Sequence, residues 1–306
     1  CVPLALRLSA ASLVERPSFP LDEYLRRFEQ TQYLLNLTGM DTSLQYSVDL
    51  LAPGLQEKLR YLSVFPAPFD RSAAAAVWDT SEESAQEALD SLLCASLLDW
   101  DIQTGYRLHD LVRDFTAALM TSGENQIASL RHSSHFLEVA RQVDILYLQG
   151  GPGVLTGLRL FDLNWPHIQA GQMWAAQQPP THQEAAHLCS AYPHAANYCL
   201  TLRLHPEQRI IWLRSALEAA RRLELKTDQG NHLEKLGLAL GALDRVDQAI
   251  SCYQQALAIA RQIGDLSSEG NYLGSLGNSY RKQGKLDKAI ECYQQSLAID
   301  RQISDR

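Results

Sequence analysis

The C-terminal part of the chain contains two copies of one pattern, GNHLEKLGLALGALDRVDQAISCYQQALAIARQIGD at residues 230–265 and GNYLGSLGNSYRKQGKLDKAIECYQQSLAIDRQISD at residues 270–305. Roughly half of the positions are identical at an offset of about 40 residues, which is the signature of a solenoid built from repeated units. Apolar residues recur at spacings of three and four on both sides of the turn at Gly284-Lys285. Each copy therefore predicts two amphipathic helices packed as a hairpin, and the small residues Gly277 and Ala289 would let these helices approach closely.

A weaker third copy precedes these two. The stretch RIIWLRSALEAARRLEL, from Arg209, aligns at the same offset with AISCYQQALAIARQIGD, from Ala249. The pattern L-x-x-L-G-x-x-Y followed by A, Y and A resembles the tetratricopeptide (TPR) repeat, although the period exceeds the usual 34 residues. Arg261 and Arg301 stand where that repeat usually has a helix-ending proline. We expect residues 190–306 to form about three TPR-like repeats, with the first degenerate and with further repeats following residue 306.

In a TPR array, the resemblance implies that the first helix of each repeat lines the concave face, where a protein or peptide ligand binds. Asparagine can hydrogen-bond a ligand backbone, and lysine or arginine can take a carboxylate. A solvated polar face is the alternative for each of these positions. Helical spacing makes the following residues partner-binding candidates: Asn231, Glu234, Asn271, Asn278, Arg281 and Lys282.

Residues 41–121 predict a separate small domain with a winged-helix arrangement. Three or four helical stretches precede a short β-hairpin, LLDWD and YRLHD, joined by a turn at 103–105. Asp70 and Ser81 are suitable N-caps for the third and fourth helices. The fourth helix, EESAQEALDSLLCA, lacks arginine and lysine, and the domain carries about 13 acidic against about five basic side chains. These charges disfavour direct DNA binding.

Residues 122–189 predict a helical connector between this domain and the repeats. The stretch from Gln126 has helical spacing and ends at a break, GGPG, at 150–153. A second helical pattern follows, which Pro166 should interrupt, and Pro179-Pro180 marks another break. The overall prediction is a mainly α protein with one small β-hairpin.

Two further motifs add a resemblance that covers nearly the whole chain. The chain opens with CVPLAL, similar to the G-L-P-L-A-L motif of NB-ARC-type STAND NTPases, and the winged helix ends with Leu108-His109-Asp110, similar to their M-H-D motif. These signalling switches combine a P-loop domain, a small helical domain, a winged helix and a repeat sensor, and TPR sensors are common in bacterial members. The order of the motifs matches that arrangement, so residues 1–40 would be the end of the small helical domain.

The resemblance assigns nucleotide contacts to two residues. In the family, the M-H-D histidine contacts the β-phosphate of ADP in the closed state and the G-L-P-L proline packs near adenine, which implies these roles for His109 and Pro3. Cys1, Val2 and Leu108 depart from the motifs. Without the resemblance, His109 is an interface histidine bonded to a backbone carbonyl, and Pro3 an ordinary first-turn proline. We also expect Asp110 to cap the following helix and orient His109.

The chain lacks a G-x-x-x-x-G-K-[ST] sequence, so we expect no phosphate cradle and no catalysis in this part, whereas the parent protein would be an ATPase using ADP or ATP with Mg²⁺. The start at Cys1 predicts a cut within a larger protein whose P-loop domain lies upstream. Six scattered cysteines, Cys1 among them, indicate reduced thiols of a cytoplasmic protein, and His132 with His135 lacks a third metal ligand. No apolar stretch is long enough for a membrane span.

The predicted function is the regulatory and sensor part of a STAND signal-transduction ATPase, which holds the ADP-bound resting state, binds a ligand on the TPR groove and self-assembles when active. Two alternatives stay open. One is a TPR scaffold for protein–protein interaction. The other is part of a transcription regulator whose DNA-binding domain lies elsewhere.

Overall fold

A computed structural model describes Arg26 and residues 39–304 of the 306-residue chain. The CVPLAL motif, with Cys1 and Pro3, lies outside these residues, so its predicted role stays untested. The chain forms two compact units, Cys1–His135 and Phe136–Arg306, and the boundary falls inside one long helix. As predicted, the described residues are mainly helical, with one small antiparallel hairpin.

The first unit is built from helices followed by a two-stranded hairpin. The predicted caps are confirmed: Asp70 accepts a hydrogen bond from the Ala73 N–H at 2.8 Å, and Ser81 accepts one from the Ser84 N–H at 3.2 Å. Each cap satisfies a backbone donor that a helix start leaves open. The elements are α1 (Gly39–Asp49), α2 (Pro53–Tyr61), a 3₁₀ turn (Leu62–Val64), α3 (Arg71–Trp78), α4 (Glu82–Cys94), β1 (Asp99–Asp101), β2 (Gly105–Arg107) and α5 (Asp110–Leu119).

The hairpin is joined to the helices through Phe69. Tyr106 pairs with Trp100 in the hairpin and exchanges two backbone hydrogen bonds with Phe69, at 2.8 and 2.9 Å. Gly105 has a φ of +91°, and a Cβ there would lie 2.5 Å from the Phe69 carbonyl oxygen. Only glycine fits this close approach without a shift of the backbone. The buried rings of Phe69 and Tyr106 thereby fix where β2 ends and where the chain turns into α5.

The second unit is entirely helical over its described residues. Pro166 does not interrupt its helix, contrary to the sequence prediction: the helix is continuous through Gln177, since Phe161 and Ile168 on either side of the proline are fully buried and hold it. Residue 190, the predicted start of the repeats, lies in the middle of the helix Gln183–Ala195. The elements are α6 (Ser122–Leu148, shared with the first unit), α7 (Pro152–Gln177), α8 (Gln183–Ala195), α9 (Asn197–Arg203), α10 (Pro206–Arg222), α11 (Lys226–Ala242), α12 (Val246–Ile263), α13 (Leu266–Lys282) and α14 (Leu286–Ser304).

The repeats form hairpins of consecutive helices, α11 with α12 and α13 with α14. A Cβ on Gly237 would lie 2.6 Å from the Tyr253 ring, and one on Gly277 would lie 2.5 Å from the Tyr293 ring. The predicted close approach at Gly277 is therefore confirmed. One apolar core runs through α10 to α14, which is how a solenoid is stabilised. Among the described residues, no helix is long and apolar enough to cross a membrane.

Candidate functional site

The junction between β2 and α5 presents His109 at the surface of the first unit. His109 is exposed and is the N-cap of α5, with its Nδ1 accepting a hydrogen bond from the Leu111 N–H at 3.3 Å. Because Nδ1 is the acceptor, the neutral ring carries its proton on Nε2, and that N–H has no acceptor among the described residues. Leu108, one residue earlier, is buried and anchors the junction. The imidazole is therefore a held, outward-facing hydrogen-bond donor.

Asp110 does not cap the helix, contrary to the sequence prediction, because His109 occupies the cap position and Asp110 is the first helical residue. Its carboxylate lies 3.2 Å from Arg113 and 3.7 Å from Arg107. A carboxylate in the first turn interacts favourably with the helix dipole. Asp110 thus stabilises the start of α5 and pairs with cations, and it makes no hydrogen bond to His109 among the described contacts.

Two of the predicted partner-binding residues line one open cavity of about 300 Å³ between successive repeats, which we call the inter-repeat cavity. Asn278 and Lys282 are exposed on α13; Asn278 accepts a hydrogen bond from the Tyr293 hydroxyl at 2.9 Å, and Lys282 Nζ lies 3.5 Å from the Gly241 carbonyl oxygen. The remaining lining residues come from α11 to α13: Leu238, Gly241, Ala242, Val246, Ala249, Tyr253, Ser275 and Ser279.

The other four candidates do not line this cavity. Asn231 is half-buried, and its side-chain oxygen accepts a hydrogen bond from the Tyr272 hydroxyl at 3.3 Å. Glu234 is half-buried, and burial raises the pKa of its carboxyl group. Asn271 and Arg281 are exposed on α13. The six predicted residues therefore occupy several environments along the first helices of the repeats.

A larger cleft of about 630 Å³, which we call the connector cleft, involves residues that the sequence did not single out. Lys235 Nζ donates a hydrogen bond to His194 Nδ1 at 2.9 Å. Burial lowers the pKa of Lys235 to about 8, and burial together with the Lys235 charge lowers that of His194 to about 4. The cleft is lined by Arg141, Asp144, Ile145, Leu148, Ala191, His194, Ala195, Asn197, Tyr198, Asp228, Asn231 and Lys235.

A second histidine extends this polar group inward. The rings of His194 and His232 are 4.6 Å apart, and His232 Nε2 lies 3.0 Å from the Ser190 hydroxyl. Burial, with the charges of His194 and Lys235, lowers the pKa of His232 to about 3. The sequence held one signal for this cluster: Lys235 replaces the Ser275 of the next repeat, which puts a charge between two buried leucines.

The described cysteines carry free thiols, namely Cys94, Cys189, Cys199, Cys252 and Cys292. Burial raises the pKa of Cys189 to about 11 and that of Cys199, beside Asp144, to about 12. Such thiols are poor nucleophiles at neutral pH. Among the described residues, no three histidine, cysteine or acidic side chains are grouped to hold a metal ion.

Comparison with known protein families confirms the predicted tetratricopeptide repeats in the C-terminal part. Residues 228–302 match the tetratricopeptide repeat family. The regulatory protein AfsR of Streptomyces coelicolor is 29% identical over 123 residues, which is 38% of this chain and 12% of AfsR. A STAND protein with a tetratricopeptide repeat sensor from Pyrococcus horikoshii aligns over 97% of this chain and 53% of its own length, at 16% identity and a TM-score of 0.30. The chain spans about half of the second protein and a smaller part of the first, and its C-terminal repeats form a tetratricopeptide repeat region.

Proposed function

We propose that this chain is the regulatory and sensor part of a larger STAND signal-transduction ATPase, in which the repeats bind a protein or peptide partner. TPR modules are protein-interaction modules, and residues 228–302 match that family. The observation that carries the sensor role is the inter-repeat cavity, where Asn278 and Lys282 present polar groups beside the apolar Leu238 and Val246. A peptide needs such a combination of backbone hydrogen bonds and apolar contact.

The contact proposed to stabilise the resting state is that of His109 with ADP, which an upstream P-loop domain would hold. The exposed position of the imidazole supports this role, because its outward N–H can donate to a phosphate oxygen. A ligand that binds the repeats more tightly in the open state shifts the switch away from the ADP-bound state, by the difference in its two affinities. Exchange for ATP with Mg²⁺ then permits self-assembly. Pro3 is assigned the adenine contact by resemblance alone.

Residues 41–121, within the first unit, are proposed to form a winged-helix domain. Its helices, followed by the hairpin β1–β2 and α5, support this assignment. In that scheme residues 1–40 end the small helical domain, residues 122–189 are the connector and residues 190–306 are the sensor. The acidic character of the first unit supports a role in contacts between domains rather than on DNA, since like charges would repel a phosphate backbone.

A photoreactive amino acid placed at Asn278 of the full-length protein tests partner binding in the cell of origin. Glu291, exposed on α14, provides the matched control position. We expect one discrete cross-linked polypeptide from position 278, lost in the Lys282→Glu variant and not formed from position 291. Equal cross-linking from both positions would show that the inter-repeat cavity is not the binding surface.

The similarity to the regulatory protein AfsR favours a second candidate, a part of a transcription regulator. In that case the repeats would still bind a partner, and a DNA-binding domain would lie elsewhere in the protein. The two candidates differ in one measurable property, because only the first proposes that ADP is held in the resting state. Heating the full-length protein releases any bound nucleotide, and chromatography of the released material then shows whether ADP was present.

A further inference from the structure

The connector cleft contains a cation that no carboxylate of the described residues contacts. Lys235 is half-buried, its side chain donates a hydrogen bond to His194, and no carboxylate of the described residues lies within 4 Å of its Nζ. Arg209 is also half-buried and forms no ion pair with a described residue. By contrast, Arg203 lies 2.7 Å from Asp162 and Arg261 lies 2.7 Å from Glu269. Burying a charge costs free energy unless the charge is paired, so an anion bound at these two cations would be stabilising.

The two cations share one location. A small cavity that Arg209 lines adjoins the connector cleft, and Asn197 and Lys235 line both. His194 lies at the same place: since its Nδ1 accepts from Lys235, its Nε2 carries a proton, and that atom is buried without a partner. The charges of Arg209 and Lys235 also act on each other, so two cations lie together at this place, beside the side chain of Asn197.

The charges of Glu234, Asp144 and Asp228 act on Lys235 and partly offset the effect of burial on its pKa, but none of these carboxylates lies within 4 Å of its Nζ. Asp144 is buried and accepts hydrogen bonds from the backbone N–H groups of Tyr198 and Cys199, both at 3.0 Å. Asp228 precedes Lys235 by seven residues on the same helix, or about 10 Å at 1.5 Å per residue. The remaining cation, Arg141, is paired with Glu138 at 3.1 Å.

The rim of the cleft is apolar and exposed. Ile145 is 49% exposed, Leu148 58% and Tyr198 45%. The volume of about 630 Å³ is within the range of small-molecule pockets, roughly 300–1,000 Å³. A cationic floor under an apolar rim fits a ligand that joins a carboxylate to an apolar group.

We propose that the connector cleft binds a carboxylate carried on an apolar group, with the carboxylate held by Lys235 and Arg209 and the apolar part against Ile145, Leu148 and Tyr198. This site is separate from the inter-repeat cavity and does not depend on it. The same chemistry is available from a free aliphatic acid and from the C-terminus of a peptide that ends in an apolar residue. The experiment below compares a free acid with a peptide C-terminus.

Isothermal titration of the 306-residue chain with four probes tests this proposal: hexanoate, hexanol, N-acetyl-Leu-Leu as the free acid, and the amide of that dipeptide. We expect saturable binding of the two acids and none of hexanol or the amide. Tighter binding of hexanoate identifies a free acid as the source, and tighter binding of the dipeptide acid identifies a peptide C-terminus. Absence of binding by both acids, or equal binding of acid and uncharged probe, overturns the proposal.

Substitutions then locate the carboxylate. Lys235→Met should weaken binding of the preferred acid by about tenfold or more, whereas Lys226→Met, exposed at the start of the same helix, should not change it. Affinity should also fall as the pH rises through about 8, because Lys235 loses its proton there. Lys235→Met should fold, since it removes a half-buried charge that no carboxylate contacts, and thermal unfolding checks this. Unchanged affinity in Lys235→Met overturns the assignment.

Discussion

Leu257 is buried, at 9% exposure, whereas Leu297, which occupies the same position of the next repeat, is 49% exposed. The identical residue differs in burial because α13 follows and covers α12, while nothing among the described residues covers α14 in the same way. Two substitutions at equivalent positions therefore measure how much of the stability comes from the contact between repeats.

Leu257→Ala should lower the free energy of unfolding by about 2–5 kcal/mol, because it removes buried methyl groups and leaves a cavity. Leu297→Ala should lower it by less than about 1 kcal/mol, since its side chain is half in solvent. Urea unfolding of the 306-residue chain gives both values. Equal losses in the two variants would be inconsistent with a solenoid in which each repeat is stabilised by the next.

Gly237 should not tolerate alanine, although alanine is the better helix former. The added Cβ would lie 2.6 Å from the ring of Tyr253, which is itself buried and cannot move freely. We expect Gly237→Ala to lower the melting temperature. Gly241→Ala is the control in the same helix, because nothing lies within 4 Å of its Cβ, and it should gain up to about 1 kcal/mol from helix propensity. A stabilised Gly237→Ala variant would contradict the close packing of α11 on α12.

The buried pair His194 and His232 should make the second unit sensitive to acid. The folded-state pKa of His232 is about 3 and that of His194 about 4, both below the usual value of 6.5. The unfolded chain therefore binds more protons in that window, and stability is lost as the pH falls from 6.5 toward 4. At about 1.4 kcal/mol per pKa unit, the loss between pH 7 and pH 4.5 should be about 2 kcal/mol or more.

His232→Gln should reduce this dependence on pH, and His205→Gln, an exposed N-cap on α10, should leave it unchanged. Urea unfolding of the three proteins at about pH 7 and about pH 4.5 gives the difference. The same loss in His232→Gln as in the unchanged protein would mean that other groups cause the acid sensitivity.

The helices and the repeats could be predicted from the sequence because they follow local rules. Spacing of apolar residues, the caps Asp70 and Ser81 and the 40-residue offset each depend on neighbours in the chain. Pro166 was misread because a proline's local cost was outweighed by the burial of Phe161 and Ile168, which the sequence alone does not show.

The site was less predictable than the fold. Asn278 and Lys282 lie in the inter-repeat cavity, since a spacing of four residues puts them on one face of α13. The group formed by Lys235, His194 and His232 was missed because His194 lies about 40 residues before the other two, in a different helix. Only packing brings them together, and no spacing in the sequence encodes that contact.

The proposed contact of His109 with ADP is tested most directly by the release rate of ADP from the full-length protein. His109→Asn keeps a good N-cap for α5 while removing the imidazole, and His205→Asn makes the same change at a histidine with the same capping distance of 3.3 Å. We predict ADP release about tenfold faster or more in His109→Asn, as for a lost charge-assisted hydrogen bond, with no change in His205→Asn. Equal release rates in the two variants and the unchanged protein would contradict the claim.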